Sequence, residues 1–162
     1  MNWLTLLSTL LGAVVGVGST LLADRARWGR EVQTQALQHR RALYGDFLTA
    51  LNLAQESLFA VAYGRHSSEL TRDLAARAAF GEHQVYAVRE RLVLSGREPV
   101  VAAADLAFNR LKAFRDVVGS GAAPDSPELA DAIHAYGAVL RDLRHAMRDE
   151  LGEPRLETDV SN

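Results

Sequence analysis

The sequence predicts an all-α protein: one N-terminal transmembrane helix that continues through a helical stalk into an antiparallel up-down-up-down four-helix bundle. Three observations lead there. Trp3 through Ala23 contains no charged residue, and as a helix this run would be roughly 31 Å long, about the hydrocarbon thickness of a bilayer. Beyond it, apolar residues recur at steps of three and four, and no stretch shows the alternation of a half-buried strand. The 4 prolines, at positions 99, 124, 127 and 154, all fall outside these periodic segments.

The anchor is expected over residues 1–23. Trp3 and Trp28 bracket it, where amphipathic indoles favour the headgroup level. Its polar residues (Thr5, Ser8, Thr9, Ser19 and Thr20) are hydroxyls that can bond back to their own helix carbonyls, so lipid tolerates them. A cleaved signal peptide fits less well, because the run lacks a basic leader and places Leu21 at the −3 position of a cut after Ala23. A buried core helix would be shorter and would carry a polar stripe. Arg25, Arg27 and Arg30 follow the run, whereas only Met1 and Asn2 precede Trp3. The positive-inside rule then puts the N-terminus outside and the rest of the chain in the cytoplasm, as a single-pass protein of the cell membrane. Ser8, Gly12, Gly16 and Thr20 recur every four residues on one face. Such a stripe lets two backbones approach in lipid, which makes a homodimer through the anchor one expectation and a chance pattern the other.

Residues 24–41 are expected to form a basic juxtamembrane stalk. Arg30, Gln33 and Arg40 occupy heptad positions that become apolar further on, so this stretch is solvated rather than packed. As a helix it would hold the domain up to roughly 27 Å from the membrane. The bundle follows over 42–151. Its first helix (42–63) continues a seam of Leu37, Tyr44, Phe47, Leu51, Ala54, Leu58 and Val61 and breaks at Tyr63-Gly64. The second (68–95) opens from a serine cap and runs through Leu74, Ala78, Gly81, Val85, Val88 and Leu92 to Ser95-Gly96. The third (99–118) has Pro99 in its first turn and the seam Val100, Ala104, Ala107, Leu111, Phe114, Val118. The fourth (127–151) opens on Ser126-Pro127-Glu128 and runs through Leu129, Ile133, Tyr136, Leu140, Leu143 and Met147. Short connections between these helices favour antiparallel neighbours. Residues 152–162 lose the pattern and read as a flexible tail.

Composition narrows the function classes. There is no cysteine, which removes disulfides and thiolate chemistry. A net charge of −2 gives no electrostatic footprint for nucleic acid. Of the 18 basic residues Lys112 is the only lysine, which together with abundant Ala, Gly and Val suggests a GC-rich genome.

Candidate chemistry is sparse. A di-iron bundle needs inward Glu residues and Glu-x-x-His pairs; the nearest matches are Asp131-x-x-His134 and Asp142-x-x-His145, and both histidines fall on outer positions of the seam, as do His83 and Glu56. No nucleophile–base–orienter set, phosphate loop or zinc spacing is present, so no catalytic, cofactor-binding or metal residue is expected. Arg25, Arg27 and Arg30 suit anionic headgroups as well as topology. Phe59, Phe80, Tyr86 and Phe108 lie off the main seams and read either as a widening of the core or as a contact patch for a partner.

Gly16 through Trp28, followed by Arg40-Arg41-Ala42-Leu43-Tyr44-Gly45-Asp46-Phe47-Leu48, resembles a group of small uncharacterised actinobacterial membrane proteins that pair an N-terminal anchor with a helical segment carrying an Arg-x-x-x-Tyr-x-x-Phe-Leu-like motif. The resemblance covers about the first 50 residues and implies an anchor, a helical cytoplasmic domain and no particular activity. The expected function is a non-enzymatic, membrane-tethered interaction or scaffolding module with an unidentified protein partner. The alternatives are an extracytoplasmic sensor or envelope-binding domain in inverted topology, and an enzyme with an unrecognised site.

Overall fold

The protein, described here by a computed structural model, has a defined backbone over residues 3–155 and defined side-chain surroundings for Trp28 and residues 31–155. Over those residues it is all-helical, with α1 (Trp3–Ala62), α2 (Arg72–Glu82), α3 (Val85–Ser95), α4 (Glu98–Gly119) and α5 (Pro127–Leu151). The chain divides into two units, residues 1–39 and 40–162. In the first unit Trp28 and residues 31–36 are exposed. Among the described residues no helix is long and apolar enough to cross a membrane. The expected anchor, with Trp3, the stripe Ser8, Gly12, Gly16, Thr20 and the flank Arg25, Arg27, Arg30, lies outside the residues whose side chains are described, and the tail beyond Arg155 lies outside them too.

The second unit is built on one apolar core. Tyr44, Phe47, Leu51, Ala54, Leu58 and Val61 are buried along α1, and Val100, Ala104, Ala107, Leu111, Phe114 and Val118 along α4. Leu129, Tyr136, Leu140, Leu143 and Met147 are buried along α5, with Ile133 half-buried against them. Each Leu, Val or Phe so placed contributes about 1.5–3 kcal/mol relative to exposure. Proline and cap chemistry set the boundaries. The Ser126 hydroxyl accepts the Leu129 N–H at 3.3 Å, Pro127 stands at the start of α5, and Gly152 closes it with φ 71°, a conformation that favours glycine.

The expected second helix, 68–95, is two helices. Its opening cap is Thr71 rather than a serine: the Thr71 hydroxyl accepts the Leu74 N–H. The chain breaks after Glu82, where Gln84 takes φ 54°, ψ 28°, and α3 starts anew from it. The break resets the helical phase. Val85, Val88 and Leu92 are buried as the heptad requires, but extrapolating that register backwards selects the wrong face of α2. Leu74 is 53% exposed, and Ala78 and Gly81 are exposed as well, while Ala75, Ala76, Ala79 and Phe80 turn inward.

The ends of the helices are tied by polar contacts. Arg72, at the start of α2, donates to the Ala62 carbonyl at the end of α1 (3.1 Å) and to the Ala122 carbonyl after α4 (2.7 Å). Arg40 and Tyr44 on α1, Arg97 before α4 and Glu150 on α5 meet at another point. Gly96 lies between α3 and α4 in a tight turn, where an added Cβ would stand 2.7 Å from the Leu92 carbonyl oxygen.

Candidate functional site

The last turns of α5 and the first turn of α4 enclose a cavity of about 570 Å³, lined by Arg97, Pro99, Val100, Asp142, His145, Ala146, Asp149, Glu150 and Arg155. Its volume falls in the range of small-molecule sites. Helical spacing puts Asp142, His145 and Asp149 on one face of α5, three and four residues apart. His145, expected on an outer position, is half-buried, and its Nδ1 is shielded from solvent without a hydrogen-bond partner among the described residues. His134, by contrast, is exposed.

Glu150 forms one wall of this cavity. Its side chain is only 6% exposed, and three groups converge on its carboxylate. The Tyr44 hydroxyl donates to Oε2, Arg40 to Oε1 at 3.2 Å, and the Arg97 guanidinium stands 3.6 Å from Oε1. A buried carboxylate requires such compensation. Burial, and after it the hydrogen bond to Glu150, push the Tyr44 phenol well above its ordinary pKa, so the tyrosine stays a donor. Asp149 is claimed by Arg155 at 2.6 Å, which holds its carboxyl below the ordinary value.

A second polar pair joins α1 to the end of α2: Ser57 Oγ and His83 Nε2 are 2.7 Å apart. The distance suits a nucleophile and its base, and the sequence, in which the two stand 26 positions apart, gives no signal for it. Neither an orienting carboxylate on the other ring nitrogen nor free amide donors accompany the pair among the described residues, since Ser57 sits inside a continuous helix. The geometry is that of a helix-to-helix tie. Glu56, next to Ser57, is exposed. Among the described residues no group of three or more His, Asp or Glu is arranged to hold a metal ion.

The off-seam aromatics separate into two roles. Phe59 is half-buried and packs edge-on against Phe114, extending the core. Phe80 and Phe108 are buried, and Tyr86, 50% exposed, packs edge-on against both at centroid distances of 5.5 and 5.2 Å. Cations border this cluster: Arg89 and Lys112 over Phe108 at 5.0 and 5.8 Å, and Arg115 over Phe80 at 5.2 Å. Arg89 is held by Asp105 at 2.8 Å, so it is fixed as well as charged. Val93, seven residues after Tyr86 on the same face of α3, is exposed, and Leu94 beside it is 84% exposed.

Among protein-family models, curated proteins and solved structures, none matches this chain.

Proposed function

We propose that this chain is a single-pass membrane protein whose helical domain is a non-enzymatic interaction module, docking a protein partner through the face centred on Tyr86. The observation that carries this reading is the state of Tyr86: a half-exposed ring locked edge-on between two buried phenylalanines and bordered by fixed arginine. A rigid aromatic loses little entropy on docking, and tyrosine and arginine dominate the energetic centres of protein interfaces. The charge-free run Trp3–Ala23 and its flank Arg25, Arg27, Arg30 support a bilayer anchor with the N-terminus outside and the domain cytoplasmic. The resemblance to small actinobacterial membrane proteins agrees with that arrangement. The contacts at Arg72 and Glu150 support four alternating antiparallel legs, the second composed of α2 and α3.

A photo-crosslinking residue placed at Tyr86 of the full chain in its native membrane should give a discrete adduct, and Val93→Glu should suppress it. The same residue at exposed Ala130 on α5 should not give that adduct. Equal adducts from both positions, or none from Tyr86, would remove the docking face.

A second reading, an extracytoplasmic sensor in inverted topology, is favoured by the cavity beside His145. A reporter active only in the cytoplasm, fused after Asn162, separates the two: activity supports the first, and activity of an export-dependent reporter there supports the second.

A further inference from the structure

The cavity between α4 and α5 holds three groups that the fold leaves without full partners. Two of its charges are answered internally, since Asp149 is bound by Arg155 and Glu150 by Arg40, Tyr44 and Arg97. Glu150, however, faces two guanidiniums with one negative charge. Arg40 donates to it at 3.2 Å, which leaves Arg97, 3.6 Å away and mostly exposed, as the surplus cation of the lining. Arg97 is also the residue before α4, where it makes no side-chain cap, so the partial positive charge of that helix end adds to its own. On the α5 side, Asp142 lines the cavity with no ion pair or hydrogen bond to the described residues, and is the surplus anion. One turn further, His145 brings a solvent-shielded Nδ1 that has no partner, a deficit that a hydrogen-bonding ligand would correct. Pro99, Val100 and Ala146 supply apolar wall.

We propose that this cavity binds a small zwitterion, an amino acid or short peptide. Its ammonium group pairs with Asp142, its carboxylate lies toward Arg97 and the amino end of α4, and His145 Nδ1 takes one further hydrogen bond. An anion alone would meet the three carboxylates of the lining, and a cation alone would meet Arg97, Arg155 and the positive end of α4. A ligand carrying both charges matches both surpluses.

The test uses the full chain in detergent micelles, with L-leucine and leucyl-leucine as probes and butylamine and butyrate as the single-charge counterparts. Calorimetric titration should show saturable binding of at least one zwitterion, and the His145 ring resonances should move with the same saturation curve. Asp142→Asn and Arg97→Gln should each weaken that binding by about ten-fold or more, as expected for the loss of a charged hydrogen-bond partner. His145→Gln should weaken it less, because glutamine still offers a donor and an acceptor. Failure of both zwitterions to bind at millimolar concentration overturns the proposal. So does binding of butylamine or butyrate as tight as that of the better zwitterion. Unchanged affinity in Asp142→Asn and Arg97→Gln, with circular dichroism showing both folded, would place any binding elsewhere and overturn it too.

Discussion

α4 and α5 are 22 and 25 residues long and bury a Leu, Val, Phe, Tyr or Met on most turns, as the 11-residue α3 does with Val85, Val88 and Leu92; α2, also 11 residues, covers the same core with less. The buried face of α2 is Ala75, Ala76, Ala79 and one large side chain, Phe80. Small residues let α2 lie close to α4: an added Cβ on Gly119 would stand 3.0 Å from the Asp73 carboxylate. The apolar bulk that alanines cannot supply is concentrated in Phe80, which Phe108 and Tyr86 seal from one side and Arg115 covers. Two ways of filling a core follow. Along α3, α4 and α5 stabilisation is spread over residues such as Val85, Val88 and Leu92, whereas along α2 it converges on Phe80 and the aromatic cluster around it.

Phe80→Ala is therefore expected to have the largest effect, costing about 3–5 kcal/mol in urea denaturation because nothing adjacent on α2 can refill the space. Leu74→Ala, on the exposed face of the same helix, should change stability by less than about 0.5 kcal/mol. The reverse order would restore the single continuous heptad through residues 74–92. On α5, Leu140→Ala is expected to cost about 2–5 kcal/mol and His134→Ala less than about 0.5 kcal/mol. A smaller loss at Phe80 than at Leu140 would mean that the two halves of the core fill in the same way after all.

The same contrast explains what could be read from the residues. Helix α5 announces its start through Ser126-Pro127 and its end through Gly152, so its heptad is anchored at both ends and its buried face follows. Helix α3 opens at Gln84, an ordinary polar residue that no turn rule singles out, and Gly81 three residues earlier reads as well in a helix as at its end. With no visible break, a single period runs through both helices and puts Leu74 on the seam and Phe80 off it. The cavity was only half legible: Asp142-x-x-His145 was visible as a spacing, but its meeting with Arg97 depends on how α4 and α5 cross, which no local pattern encodes. The Ser57–His83 tie depends in the same way on packing between helices.

The polar node at Glu150 gives the α5 half a further test. Tyr44→Phe removes the hydroxyl that donates to Glu150 and leaves a largely buried carboxylate less satisfied, so it should cost about 1–3 kcal/mol. Tyr86→Phe, where the hydroxyl has no hydrogen-bond partner among the described residues, should be close to neutral. Equal losses would show that Glu150 draws enough from Arg40 and Arg97 alone.

Both halves also carry an exposed acid–arginine pair, and pH reads these without touching the core. The Arg77 hydrogen bond lowers the Asp73 carboxyl below its ordinary value, and the Arg155 hydrogen bond does the same for Asp149. A carboxyl lowered by folding contributes stability that is fully present above its unfolded pKa and is lost as pH falls through the folded value. Asp73→Asn and Asp149→Asn should each flatten the acid limb of stability against pH by lowering the plateau at neutrality slightly and leaving the acid end unchanged. An acid limb left unchanged in either variant would mean the pair is absent in solution.

The smallest expected effect decides the comparison by its sign. Gln84 holds φ 54°, ψ 28° with an exposed side chain, and its carbonyl accepts the Val88 N–H at 3.0 Å as α3 begins. A left-handed conformation costs a residue with a Cβ about 1–2 kcal/mol relative to glycine, while glycine adds about 0.4–1 kcal/mol of unfolded-state freedom. The first effect outweighs the second, so Gln84→Gly should stabilise the protein by a few tenths to about 1 kcal/mol. In a continuous helix the same change would remove a good helix former and cost about 1 kcal/mol instead. Denaturation of Gln84→Gly beside Gln84→Ala, which keeps the Cβ and its strain, tells these apart. A gain confined to glycine fixes the joint between α2 and α3 at this residue. A loss with glycine and a gain with alanine would mean that one helix runs through 72–95, and Leu74 would then have to face the core.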